Sequence, residues 1–142
     1  MKTKLIAKKD GSSYNILLAE DKDLNQIMAV KILEDIGCKV DLVKNGNEAV
    51  SMTKENNYDL IFMDCNMPAL NGYEATKQIR SSESKGRHVP IIALTAKVMK
   101  NDKQKCMDAG MDDYIPKPIK KDSACHIINK WCAKVIDSRN DW

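Results

Sequence analysis

Three carboxylates, one hydroxyl and one ammonium in this chain each follow a short apolar run. Glu20 and Asp21 come after residues 15–19, Asp64 after 60–63, Thr95 after 91–94, and Lys117 just beyond 114–115. If those runs are neighbouring strands, the five side chains meet at one edge. Clustered carboxylates repel one another and raise each other's pKa unless a cation is present. Hard oxygen ligands suit Mg²⁺, a metal usually shared with a phosphoryl group; Mn²⁺ is the alternative. Lys117 offers a point charge to a phosphoryl oxygen and Thr95 a hydroxyl donor. A carboxylate at the centre of such a site can act as a nucleophile toward phosphorus. Asp64 ends the run expected to be central, so the chemistry indicated is Mg²⁺-dependent phosphoryl transfer onto an aspartate. Taken singly, Asp64 reads as a turn or cap residue, Glu20-Asp21 as a helix cap and Lys117 as a solvated lysine. Their joint placement carries the weight.

The elements that must position them are legible. Residues 15–19, 60–63 and 91–94 are unbroken apolar runs, as strands buried on both faces require. Residues 38–43 alternate, and 114–115 make a short fifth strand. Helical patterns fill 23–36, 45–56, 72–82, 98–109 and 122–136, with Gly37 and Gly110 as stops. Residues 68–72 form a loop. Five short βα units predict a doubly wound parallel (βα)5 sheet with right-handed crossovers and helices on both faces. Sites on such sheets form at the carboxyl ends of the strands.

Length and composition fit one soluble domain with a real core. The 142 residues are 43% hydrophobic and 30% charged. The net charge of +3 is accounted for by Lys2, Lys4, Lys8 and Lys9 against Asp10. The excess thus sits in residues 1–13, expected as a flexible basic leader ending in Gly11-Ser12-Ser13; the domain is expected over 14–136 and a short tail over 137–142. A neutral domain gives no cue for nucleic acid or an anionic membrane. There is no apolar run of membrane-spanning length and no secretory signal. Five cysteines without a CxxC spacing read as reduced thiols of a cytoplasmic protein; a parent protein could still be anchored in a membrane. Only six residues follow the last helix pattern, too few for a DNA-binding output module.

Other phosphate-binding folds do not fit. Glu20-Asp21-Lys22-Asp23 would repel a bare phosphate where a flavin-binding loop needs small hydroxyl and glycine residues. No GxxxxGK[ST] or GxGxxG occurs. The Asp-x-Asp pair of a haloacid-dehalogenase-type phosphatase is missing after the first strand.

Four segments carry a resemblance to one family: I-L-L-A-E-D at 16–21, Y-D-L-I-F-M-D-C-N-M-P-A-L-N-G-Y-E-A-T at 58–76, P-I-I-A-L-T-A at 90–96 and C-M-D-A-G-M-D-D-Y-I-P-K-P-I at 106–119. Over 14–136 the chain resembles the receiver (response-regulator) domain of two-component signalling, above all that of hybrid sensor histidine kinases. The resemblance implies a flavodoxin-like sheet of strand order 2-1-3-4-5. It implies that Asp64 accepts a phosphoryl group from a phosphohistidine. Asp21, Asp64 and the Asn66 backbone carbonyl would bind Mg²⁺, with Glu20 acting mainly through water. Lys117 would pair with the phosphoryl group beside a cis Lys117–Pro118 bond, and Thr95 would swing to it while Tyr114 turns inward. Ala96, small, would leave the phosphoryl path open. The fourth strand, fourth helix and fifth strand would then present a switched surface. Asn71 departs from the Asp many relatives carry, with little effect expected.

The implied partners are the phosphohistidine domain of a histidine kinase or a histidine phosphotransfer protein, with no direct nucleic-acid or membrane contact. Leu24, Met28 and Ile32 recur every four residues on the first helix and are the candidate docking stripe, unless both helix faces are covered within the domain. A module of a hybrid kinase is the leading expectation. A stand-alone single-domain regulator and, in another class, a Mg²⁺-dependent phosphohydrolase of small phosphates are the alternatives. Cys125, His126 and Cys132 lack a fourth ligand and standard metal spacing, so they read as packing groups. His88, in a polar loop, does not suit a phosphodonor.

Overall fold

The computed structural model describes residues 4–67, 70–96 and 100–133. Five strands, β1 (Asn15–Ala19), β2 (Lys39–Val43), β3 (Leu60–Asp64), β4 (Ile91–Thr95) and β5 (Asp113–Pro116), alternate with five helices. These are α1 (Asp23–Asp35), α2 (Gly46–Glu55), α3 (Gly72–Ser82), α4 (Lys100–Ala109) and α5 (Lys121–Cys132). The strands pair in parallel in the order β2-β1-β3-β4-β5, as expected. Positions 98–99 of the expected fourth helix, 134–136 of the fifth, and Pro68-Ala69 of the expected loop lie outside the described residues.

The unbroken apolar runs follow from burial on both sides. Ile16, Leu18, Leu60, Phe62, Ile92 and Leu94 pack with Leu33 of α1 and Ile128 of α5. The alternate residues Leu17, Ala19, Ile61, Met63, Ile91 and Ala93 pack with Val50 of α2, Ala75 and Ile79 of α3, and Cys106 of α4. Successive strand side chains point to opposite faces, so one run serves two cores. Edge strand β2 is mostly exposed, which is why it alternates.

The helix ends are set locally. Gly37 has φ +101°; its N–H donates to Glu34 O and the Cys38 N–H to Leu33 O. That double bond is the Schellman ending, which needs a left-handed residue. Asn45 and Asn71 cap α2 and α3, each side chain accepting the N–H three residues on. Asn and Asp cap about equally well, so the Asn71 departure is neutral there. Gly72 is required by space: a Cβ on it would run into the Asp64 carbonyl, and its N–H donates to Cys65 O at 3.2 Å. The start of α3 is thereby pressed against the strand that ends in Asp64.

Within residues 1–13, expected as a flexible leader, Leu5, Ile6 and Lys8 contact the body. Leu5 packs on the α1/α5 core, and backbone groups on both sides of it bond Asn129 of α5. An apolar side chain with a matching polar receptor gives this short segment a place to dock.

Candidate functional site

The sheet ladder delivers each chemical residue to one edge. Beyond β1, the Glu20 N–H donates to Val43 O at 3.0 Å. Beyond β3, the Cys65 N–H donates to Leu94 O at 3.2 Å, which holds the turn after Asp64. Beyond β5, the Lys117 N–H donates to Thr95 O at 2.8 Å. Glu20, Asp64 and Thr95 are buried and Asp21 is partly so. The Lys117–Pro118 peptide is cis.

Carboxylate oxygens of Glu20, Asp21 and Asp64 lie within 4.8 Å of one another, a grouping that could hold a metal ion. Lys117 Nζ sits between two of these acids, 2.8 Å from Asp64 Oδ2 and 3.3 Å from Glu20 Oε1. Burial works to lower the Lys117 pKa, but the Asp64 and Glu20 carboxylates outweigh it and hold the ammonium above the usual lysine value. Lys117 is therefore a fixed cation across the neutral range. The two oxygens of Asp64 differ. Oδ1 accepts the Asn66 N–H at 3.0 Å. Oδ2 is buried against the Lys117 ammonium, and Asp21 Oδ1 is buried with no donor among the described residues. Buried oxygens without donors are costly. They fit a hard cation, and three oxygen donors with open positions suit Mg²⁺.

Thr95 and Tyr114 fall on the sheet face that carries α4. Ala93 pairs with Tyr114 and Thr95 with Pro116, and Tyr114 packs on the α2–α4 core. Lys103 Nζ of α4 lies over the Tyr114 ring, 5.2 Å from its centre. Ala96 is exposed directly after Thr95. Gln26 was missed from sequence: buried, it donates from Nε2 to the Glu20 backbone carbonyl at 2.5 Å and steadies the first acidic turn. One polar residue on the inward side of an apolar helix pattern was the only signal.

Two of the three residues expected as a docking stripe are exposed. Leu24 and Met28 are exposed, but so is Ile27 at 67%, whereas Ile32 is half-buried against the α1/α5 core. Four-residue steps turn about 40° past a full circle each, so the third member rolls inward. Leu24, Ile27 and Met28 form the outward group.

The remaining groups are structural. All five cysteines are free thiols, four buried and Cys132 half-buried. Among the described residues, Glu20, Asp21 and Asp64 are the one metal-competent group of His, Cys, Asp or Glu. His88 Nε2 lies 2.6 Å from Asp112 Oδ1. A cleft of about 880 Å³, lined by Lys8, Tyr14, Asp59 and Trp131 among others, opens at the opposite end of the sheet from the acids. No helix among the described residues is long and apolar enough to cross a membrane.

A parallel 2-1-3-4-5 sheet with an acid cluster and a lysine at its carboxyl edge defines a class of signalling domain. The response regulator receiver domain model matches residues 16–129, and the chain belongs to that family. It is 46% identical over 115 residues to hybrid signal transduction histidine kinase B of Dictyostelium discoideum, covering 74% of this chain and 6% of that protein. It is 36% identical over 118 residues to sensor protein GacS of Pseudomonas syringae pv. syringae, covering 82% and 13%. The chain spans 6% to 13% of the length of the curated relatives it matches. Among solved structures, the receiver domain of sensor histidine kinase PA1611 from Pseudomonas aeruginosa PAO1 has a TM-score of 0.79 at 42% identity, covering 86% of this chain and 99% of that one. That domain has a magnesium ion coordinated in its active site cleft. A chain from the co-crystal structure of the Saccharomyces cerevisiae phosphotransfer protein Ypd1 with the receiver domain of Ssk1 has a TM-score of 0.77 at 34% identity, covering 97% of each.

Proposed function

We propose that this receiver domain accepts a phosphoryl group on Asp64 from a phosphohistidine and works as a module of a hybrid histidine kinase phosphorelay. The observation that carries this is Asp64 Oδ2: buried, 2.8 Å from the Lys117 ammonium and inside the acid cluster. With Oδ1 held by the Asn66 N–H, Oδ2 is the oxygen placed to attack phosphorus. An Oδ2–P bond forms as the P–N bond of the phosphohistidine breaks, and the imidazole leaves. Lys117 then faces the oxygens that carry the transferred charge. A Mg²⁺ held by Asp21, Asp64 and the Asn66 carbonyl, with Glu20 through water, would neutralise the phosphoryl oxygens. Thr95 responds to the new acceptor and Tyr114 follows it, which alters the β4–α4–β5 surface. The exposed Ala96 leaves the approach to Asp64 open.

The partner of this reading is a histidine phosphotransfer protein or the phosphohistidine domain of a kinase, docked on Leu24, Ile27 and Met28 beside the acid cluster. The relatives favour a receiver over a hydrolase of small phosphates, and a hybrid-kinase module over a stand-alone regulator.

Incubation with radiolabelled phosphotransfer proteins, histidine kinases and acetyl phosphate, with and without Mg²⁺, tests the proposal. One label per chain, not formed when EDTA replaces Mg²⁺, is expected. A chain that takes no label from any donor refutes it, and continuous phosphate release from unrelated phosphomonoesters would point to the hydrolase. A Leu24→Asp, Ile27→Asp chain should keep its acetyl phosphate labelling and lose transfer from the protein donors.

Metal binding is tested separately. Mg²⁺ at a hundred times its dissociation constant should add about 2.7 kcal/mol of stability. For a domain of this size that is roughly 8 °C in Tm, and Asp21→Asn should lose the shift. A melting curve insensitive to Mg²⁺ in the wild type would remove the metal from the proposal.

A further inference from the structure

The polar groups that meet residues 4–8 form a receptor for an extended backbone. Asn129 of α5 is only 7% exposed. Its Oδ1 accepts the Ile6 N–H at 2.8 Å, and its Nδ2 donates to Lys4 O at 2.8 Å. In a parallel ladder, one residue bonds the carbonyl before and the N–H after the residue it faces. The Asn129 carboxamide does this to Leu5, standing in for a strand residue while Leu5 packs on the core. The buried Tyr14 hydroxyl donates to Ile6 O at 2.6 Å. Lys8 Nζ lies 2.7 Å from Asp59 Oδ2 and 5.5 Å from the centre of the Tyr14 ring. That same carboxylate oxygen accepts the Asn15 N–H at 2.7 Å, so the segment is tied to the entry of β1 and β3.

We propose that α5 and the amino ends of β1 and β3 form a binding groove for an extended peptide strand, with residues 4–8 of this chain as its occupant and Asn129 as its receptor. The occupant is bound chiefly through its backbone and one apolar side chain, the manner of strand addition to a sheet edge. Release gives up the Asn129 and Tyr14 hydrogen bonds to the strap backbone and exposes the apolar contact of Leu5, which is unfavourable. Docking of the strap and packing of α5 therefore support each other. The cooperative domain then includes residues 4–8 as well as those from 14 on, and the strap ties them to α5. The groove lies at the opposite end of the sheet from Asp64, so its occupancy is a second variable of the domain, independent of the phosphoryl reading.

Amide hydrogen exchange on the full chain tests this. The Ile6 amide, although in a segment without regular structure, should be protected at least about tenfold beyond its free-chain rate. Leu5→Asp, a change confined to the strap, should abolish that protection and lower Tm while leaving the Phe62 and Ile92 amides protected. Asn129→Ala should do the same at Ile6. If Asn129→Ala does not fold, Leu5→Asp alone decides. A wild-type Ile6 amide exchanging at the free-chain rate, or a Leu5→Asp chain with unchanged Ile6 protection and Tm, overturns the proposal.

Discussion

Asp64→Asn should reduce the phosphoryl label from one per chain to none while the domain stays folded. A carboxamide nitrogen or oxygen does not replace the carboxylate as nucleophile at neutral pH, so the chemical loss is complete. The fold should survive because the charges nearly balance. At an effective dielectric of about 20, the two repulsions from Glu20 and Asp21 are worth roughly 3 kcal/mol each and the attraction to Lys117 about 6 kcal/mol. The buried carboxylate itself also carries a desolvation cost that the amide lacks. The expected result is therefore a stability no lower than that of wild type in metal-free buffer. Mass spectrometry of the intact chain after acetyl phosphate treatment, beside a urea melt, reads both halves. A folded Asp64→Asn chain that still gains one phosphoryl group would place the acceptor elsewhere.

Arg80→Ala should destabilise the domain by about 3–5 kcal/mol, as much as truncating a large core side chain. The Arg80 side chain is 16% exposed and Asp112 12%. One guanidinium meets acceptors from four residues in two loops: Gly110 O at 2.9 Å, both Glu83 oxygens at 3.0 Å, Val89 O at 2.8 Å and Asp112 Oδ2 at 2.7 Å. Asp112 Oδ2 also accepts the Ile91 N–H at 2.8 Å, and Glu83 Oε2 accepts the Val89 N–H at 2.7 Å. Removing Arg80 leaves two mostly buried carboxylates and two carbonyls short of partners at the entry of β4, the strand that ends in Thr95. Lysine keeps the charge but not the planar fork of donors, so Arg80→Lys should recover less than half of the loss. Urea unfolding with constant m-value measures both. A cost below about 1 kcal/mol for Arg80→Ala would mean that the network contributes no more than a surface ion pair.

Leu60-Ile61-Phe62-Met63 reads as a strand buried on both faces, and it is one. Gly37 reads as a helix stop and adopts the φ that stop needs. These are properties of neighbours along the chain, so local periodicity and conformational preference suffice. Once five such strands must lie parallel, the residue after each is carried to one edge. Glu20, Asp21, Asp64, Thr95 and Lys117 were legible for that reason.

Other features depended on which distant groups came within reach. Ile32 continued a four-residue pattern, yet it packs against the α1/α5 core while Ile27 stays outside. Gln26 and Arg80 looked like ordinary polar helix residues until the Glu20 carbonyl and Asp112 were set beside them. Asn129 and Leu5, 124 positions apart, had no shared signal, and residues 1–13 read as a leader because lysines and Gly-Ser-Ser resemble a linker. The alternation of elements, the parallel sheet and the acid-and-lysine edge are written in the chain itself, because each follows from the apolar pattern and its immediate neighbours. The partners of the buried polar groups emerge only on folding. A hydrogen bond is made or lost over less than an ångström, and helix packing and loop path set that distance, not the chain's own spacing.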